Sequence, residues 1–249
     1  MLYWLFACVD EGELNQKQSP VTEQIAVSVD PMWRTLESAA AQGDGGFELL
    51  TELCDDIGHR LSGSKELEQA VIWAQEKMNT YGFENVQAQS VLVPNWTRGE
   101  ESLQLLAPKS AELPMLGLGM SVGTSGIEAD VLVVSSFEEL EEIDPMEIRG
   151  KIVLYNAPFV TYGDTVQYRT RGPSIAAEKG AVAVLVRSVG PSSLQSPHTG
   201  ATSYGDGPKI PAAAVTIETA EQMHRWYKRG QIITVKLTMQ ALMEEDAPS

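Results

Sequence analysis

The chain has 249 residues, 34 acidic against 18 basic side chains and a formal net charge of −16, a balance that argues against nucleic acid as a partner because polyanions are repelled. A hydrophobic fraction of 43% with 21 Gly and 13 Pro is globular, and the length suits one or two domains with a real core, which excludes disordered and collagen-like chains. No apolar run approaches the ~20 residues of a membrane-spanning helix, and two cysteines, Cys8 and Cys54, can build neither a disulfide framework nor a thiolate zinc site.

In chain order, Met1 to Cys8 is an apolar stub and Val9 to Pro20 is polar. Leu5-Phe6-Ala7-Cys8 resembles the lipobox of bacterial lipoproteins, in which the cysteine after a small residue is lipidated once the signal is removed. The stub lacks a charged leader and the apolar length of a signal, so either the true start lies upstream or the match is accidental. Phe47, Leu50, Leu53 and Ile57 fall at helical spacing within 44–57, and Gly58 follows where a left-handed C-cap would sit. Ser64 is placed to cap a second helix that carries Leu67, Ala70, Val71, Ala74, Met78 and Tyr81 on one face and ends at Gly82. Strands are predicted at 86–93 and around 103–106, with a turn at 94–99.

From about Leu113 the texture changes to short β-branched runs divided by Gly and Pro, predicting strands at 115–118, 129–134, 152–155, 181–186 and 213–217. A short helix at 173–179, closed by Gly180, makes a β-α-β crossover and therefore a parallel pair from the strands at 152–155 and 181–186. Thr219 and Gln222 read as a capping box for a helix that stops at Gly230. A strand at 232–239 and a polar tail at 243–249 complete the chain. Residues 1–150 carry 26 acidic and 8 basic side chains and residues 151–249 carry 8 and 10, which hints at a boundary, although a solvated acidic face also explains it.

Gly119-Met120-Ser121-Val122-Gly123 matches the nucleophile elbow of serine hydrolases, but the elbow requires a helix immediately afterwards and another strand follows here. The motif is read as a glycine-rich strand end, and the overlapping Gly117-Leu118-Gly119 fails as a dinucleotide fingerprint for the same reason. Of the three histidines, His59 is assigned to a helix end, His224 to a solvated basic face with Arg225, Lys228 and Arg229, and His198 has no structural explanation. None has the spacing of a metal pair. The Glu138-Glu139 and Glu141-Glu142 pairs are assigned to solubility.

Four ordered motifs resemble the carboxypeptidase Q group of zinc exopeptidases, also called plasma glutamate carboxypeptidase: residues 53–64 (Leu53 to Ser64), 93–99 (Val93-Pro94-Asn95-Trp96-Thr97-Arg98-Gly99), 119–124 (Gly119 to Thr124) and 196–200 (Ser196-Pro197-His198-Thr199-Gly200). The similarity runs from about residue 45 to 242. It implies an α/β fold in which a protease-associated β/α domain is inserted into a zinc-exopeptidase α/β domain that is incomplete in this chain. The boundaries it implies are a leader remnant and tether at 1–20, N-terminal helices and first peptidase strands at 21–106, the protease-associated domain at 107–230, and a returning strand and truncated tail at 231–249.

The resemblance also implies a two-zinc site, whose His, Asp and Glu ligands and general base would all follow the strand that ends near Ala241. No metal or catalytic residue is therefore carried over, and the expectation is a chain that binds no zinc and hydrolyses no dipeptide by itself. Two readings stay open: the front portion of a zinc carboxypeptidase or dipeptidase, or a non-catalytic interaction module built on the protease-associated domain. The partner is a peptide substrate in the first case, the location is extracytoplasmic, and a membrane is met only through a lipid on Cys8.

Two loops exceed the roughly 12 to 15 residues usual in compact domains, at 156–172 and 188–210. Each follows a strand of the predicted parallel pair, so both should leave the same carboxyl-end rim. Phe159, Tyr162, Tyr168, Arg169 and Arg171 on one loop, with His198 and Tyr204 on the other, suit contact with a peptide's side chains or carboxylate. Tyr162, Tyr168, Arg169 and His198 are the candidate substrate-proximal residues.

Overall fold

The computed structural model describes residues 20–43, 45–192 and 194–249, with residues 20–30 as backbone alone; Cys8 and the lipobox lie outside them. The chain divides into two compact units, residues 1–58 and 59–249. In the first, α1 (Pro20–Gln42) precedes α2 (Gly45–Thr51), and α2 widens into a π-helical turn, Glu52–Ile57. The Gly58 N–H reaches back to the Leu53 carbonyl at 3.2 Å; its φ of 82° is one that favours glycine, but with ψ at −139° the residue leaves the helix extended instead of in the left-handed cap expected.

The second unit begins with α3 (Lys65–Thr80), whose Leu67 N–H donates to Ser64 Oγ at 3.1 Å, the cap read from the sequence. Five strands follow: β1 (Leu92–Val93), β2 (Trp96–Thr97), β3 (Glu101–Ala107), β4 (Ala111–Leu113) and β5 (Met115–Gly117). Then come β6 (Thr124–Val134), helices α4 (Phe137–Glu142) and α5 (Pro145–Ile148), and β7 (Ile152–Tyr155). Short helices α6 (Tyr162–Thr165), α7 (Gln167–Thr170) and α8 (Gly172–Glu178) lead to β8 (Ala183–Arg187) and, after a long loop, β9 (Ala212–Val215). The chain closes with α9 (Ile217–Lys228), β10 (Thr234–Met239), β11 (Leu242–Met243) and β12 (Ala247–Pro248).

Eight strands form one mixed sheet in the order β4-β3-β10-β6-β7-β8-β9-β5. β6, β7, β8 and β9 run parallel, in the registers Val134↔Tyr155, Tyr155↔Val186 and Val186↔Ala214, while the flanking pairs are antiparallel. Successive residues of β6 serve opposite faces. Val131 and Val133 join one apolar cluster with Leu154, Leu185, Met223 and Leu237, whereas Leu132 and Val134 join another with Val153, Tyr155, Val184 and Ile148. Burial on both faces explains why Ile152-Val153-Leu154-Tyr155 carries no polar residue.

Four expectations are corrected. Of the strand predicted at 86–93 only the last three residues find a partner, Leu92 and Val93 in β12 and Val91 through the two backbone bonds of 2.8 Å that it exchanges with Ser249; an apolar run becomes a strand only where a second backbone accepts it. The polar tail at 243–249 supplies that partner, and β11 also pairs with β2. The α9 cap is Thr216, whose Oγ1 accepts the Thr219 N–H at 3.0 Å, so the supposed capping box lies one turn inside the helix. Ile217 opens α9 instead of closing β9.

Candidate functional site at the carboxyl rim of the parallel strands

Because Tyr155 and Val186 are register partners in parallel strands, the loops after β7 and β8 leave the same edge of the sheet, and side chains tie them together. Arg169, on α7, is 8% exposed and donates through Nη1 to the Thr199 carbonyl at 3.3 Å and through Nη2 to the Tyr162 hydroxyl at 3.0 Å. Its guanidinium also lies 5.8 Å from the centre of the Tyr162 ring. Tyr162 is positioned by α6, where Thr161 Oγ1 accepts the Asp164 N–H at 3.2 Å. His198 is exposed and presents its ring edge-on to Tyr162 at 6.1 Å, while its own N–H donates to Ser188 Oγ at 2.7 Å. A Cβ on Gly200 would stand 2.5 Å from Arg169 Cζ, so only glycine lets that backbone lie flat against the guanidinium. Tyr162, Arg169 and His198 therefore form one cluster.

Tyr168 is not part of it. Its ring stacks on Phe137 at 4.4 Å and lies 5.6 Å from Tyr155, in the apolar cluster on one face of the sheet. Burial, and secondarily the charge of Glu138, pushes its phenol above the usual tyrosine range. Helical spacing turns neighbouring side chains of a short helix about 100° apart, so Tyr168 points into the core where Arg169 points to the rim. Tyr204 is also committed: it is buried, its hydroxyl donates to the Ile210 carbonyl, and it lies 3.4 Å from Ser121 Oγ.

Three rim residues, Asn156, Arg187 and Glu221, escaped the sequence reading, and a fourth, His224, is reassigned. Asn156, 3% exposed directly after β7, accepts from Arg187 Nη1 at 3.2 Å through Oδ1 and donates through Nδ2 to His224 Nδ1 at 2.7 Å. Arg187 ends β8 and pairs with Glu221 of α9. Since arginine can only donate, it sets the Asn156 amide with Oδ1 towards itself, which leaves His224 Nδ1 as acceptor and its proton on Nε2. His224 is thus a partnered, half-buried group and not part of a solvated basic face. The available signal was position, since both Asn156 and Arg187 stand at the carboxyl ends of parallel strands.

The Gly119–Gly123 string supplies a strut instead of a nucleophile. Ser121 is 1% exposed, its Oγ accepts the Ala212 N–H at 2.8 Å and its carbonyl accepts Trp96 Nε1 at 2.9 Å. The next element is β6 and not a helix, as the sequence required. His59 is exposed at the mouth of a separate cleft with Lys65, Asn95, Arg98 and Glu244.

No family model matches the chain. Against known proteins, it is 48% identical over 206 residues to carboxypeptidase Q of Bos taurus and of Homo sapiens, and 50% identical to that of Rattus norvegicus. The chain is a carboxypeptidase Q homologue. Each match covers 82% of this chain and 43% of the relative, so the chain spans less than half the length of those carboxypeptidases. Among solved structures, a peptidase M28 precursor from Shewanella amazonensis SB2B superposes with a TM-score of 0.82 at 29% identity, over 87% of this chain and 51% of its own. A zinc aminopeptidase from Bacillus subtilis shares the fold, with a TM-score of 0.58 at 18% identity over 81% of this chain and 44% of its own.

Zinc requires three or four converging His, Cys, Asp or Glu ligands. Among the described residues no group of three or more of these side chains could hold a metal ion. The described residues therefore do not fit the ion of the zinc aminopeptidase.

Proposed function

We propose that this carboxypeptidase Q homologue works as the substrate-shaping part of a zinc-dependent exopeptidase of the carboxypeptidase or dipeptidase type, whose zinc ligands are not among the residues described. The observation that carries this reading is the 48% identity to carboxypeptidase Q over 206 residues. On this reading residues 107–230 are the protease-associated domain, and its carboxyl rim, with Tyr162, Arg169 and His198, forms a wall of the peptide pocket. The rim chemistry supports it: a cation, an aromatic hydroxyl and an imidazole meet at the edge where ligands settle on parallel sheets. The setting is extracytoplasmic, with lipidation of Cys8 as the route to a membrane; no described helix is long and apolar enough to cross one.

A second reading is a non-catalytic interaction module built on the protease-associated domain. A chimera decides between them. The matched stretch of human carboxypeptidase Q is replaced by that of this chain, and release of the C-terminal amino acid from a dipeptide is measured. Retained turnover, lowered in kcat/KM when Arg169 and His198 are changed to alanine, is the expected result. A folded chimera without turnover favours the interaction module.

A further inference from the structure

We propose that Arg169 is a carboxylate receptor at the rim, covered by the Tyr162 hydroxyl. The inference rests on the peptidase reading only in taking that carboxylate to belong to a peptide.

The rim holds two guanidiniums withdrawn from solvent, and they differ in one respect. Arg187 is neutralised by Glu221. Arg169 makes no ion pair with any described residue: its two partners, the Thr199 carbonyl and the Tyr162 hydroxyl, are neutral, and its Nε, like that of Arg187, has no hydrogen-bond partner among the described residues. A cation taken from water without a counter-charge is costly, and such groups are ordinarily paired. The planar guanidinium matches a carboxylate through two parallel N–H donors.

The surroundings fit a covered receptor better than a simple strut. Gly200 and Thr199 close one side of the guanidinium with backbone, leaving no room for a side chain. On another stands Tyr162, 50% exposed, on a helix of only four residues. Its hydroxyl occupies Nη2 as a neutral acceptor, which a charged oxygen outcompetes. His198, exposed beside the Tyr162 ring, adds an imidazole at the same mouth.

The test uses the 249-residue chain, with the side-chain Nε–Hε signal of Arg169 followed by NMR during titration with N-acetylglycine, N-acetylglycinamide and N-acetylisoglutamine. The first offers a main-chain carboxylate, the second none and the third a side-chain carboxylate only. Saturable movement of the Arg169 signal with a carboxylate and not with the amide is expected, and the stronger of the two acids tells which carboxylate is read. Arg169→Gln should weaken binding about tenfold or more, and Tyr162→Phe should leave it intact or strengthen it. Equal response to acid and amide, no saturable response, or undiminished binding by Arg169→Gln overturns the proposal. Should Arg169→Gln fail to fold, the acid–amide contrast in the unaltered chain still decides. Dipeptide turnover by the chimera is read separately: turnover without carboxylate discrimination removes the role of Arg169 alone, and carboxylate binding without turnover removes the peptidase reading alone.

Discussion

Replacing Ser121 with alanine separates a structural serine from a catalytic one. Its Oγ accepts the Ala212 N–H at 2.8 Å, donates to the Val122 carbonyl at 3.2 Å and lies 3.4 Å from the Tyr204 hydroxyl. Ala212 is fully buried at the start of β9, so removing Oγ strands an amide that water cannot reach. Tyr204 keeps its bond to the Ile210 carbonyl and Trp96 keeps the Ser121 carbonyl, so neither adds much to the loss. A stranded buried donor costs about 1–3 kcal/mol. At the central value, and with each kcal/mol worth about 2–4 °C in a domain of this size, Ser121→Ala should melt roughly 4–8 °C lower. Urea unfolding followed by tryptophan fluorescence, with Ser125→Ala as an exposed control, gives the free energy directly. An organophosphonate probe for activated serines should leave the chain unlabelled. A Ser121→Ala protein within about 0.5 kcal/mol of the original, or a phosphonylated Ser121, would refute the strut.

Three further tests use other features of the fold. Gly123→Ala would set a Cβ 2.6 Å from the Ala241 carbonyl and 2.8 Å from that of Met239, both backbone, and should cost about 1–3 kcal/mol in urea unfolding; Gly46→Ala, with nothing within 4 Å of its Cβ, should instead stabilise α2 by about 0.5–1 kcal/mol, read from amide exchange. Asp130 is held below its ordinary 3.8 chiefly by its hydrogen bond from Lys151 and then by that from Thr234. A depressed folded value stabilises above 3.8 and is lost as pH falls through the folded value, so the urea midpoints of Asp130→Asn and the original should differ at neutral pH and converge in acid. The pair is partly exposed, so the gap should be at most about 1 kcal/mol, and a gap that persists down to about pH 2 contradicts the linkage.

Local chemistry alone determined much of this protein. Ile152–Tyr155 is legible as a central parallel strand because four consecutive apolar residues suit burial on both faces, and Ser64 and Gly58 mark helix ends because a side-chain acceptor and a left-handed φ are needed there. Parallel pairing of β7 with β8 followed from the short helix between them, and with it the shared rim that brings Tyr162, Arg169 and His198 together. The four motifs likewise carry the resemblance to the carboxypeptidase Q family in the sequence itself.

Tertiary structure decided what each segment meets. Residues 86–90 belong to the predicted strand but join none of the described strand pairs, whereas the polar tail becomes β12 because Val91, Leu92 and Val93 offer it a backbone. Tyr168 and Arg169 are adjacent in sequence, yet one stacks in the core and the other ties two loops, a choice made by helix phase and by Phe137 and Tyr155 lying within reach. The Asn156–His224 bond joins residues 68 apart, and the Arg187 that orients it comes from another strand. Periodicity and capping act over a few residues of one chain segment; strand partners, buried charges and amide orientations are set by groups that only folding brings within about 3 Å.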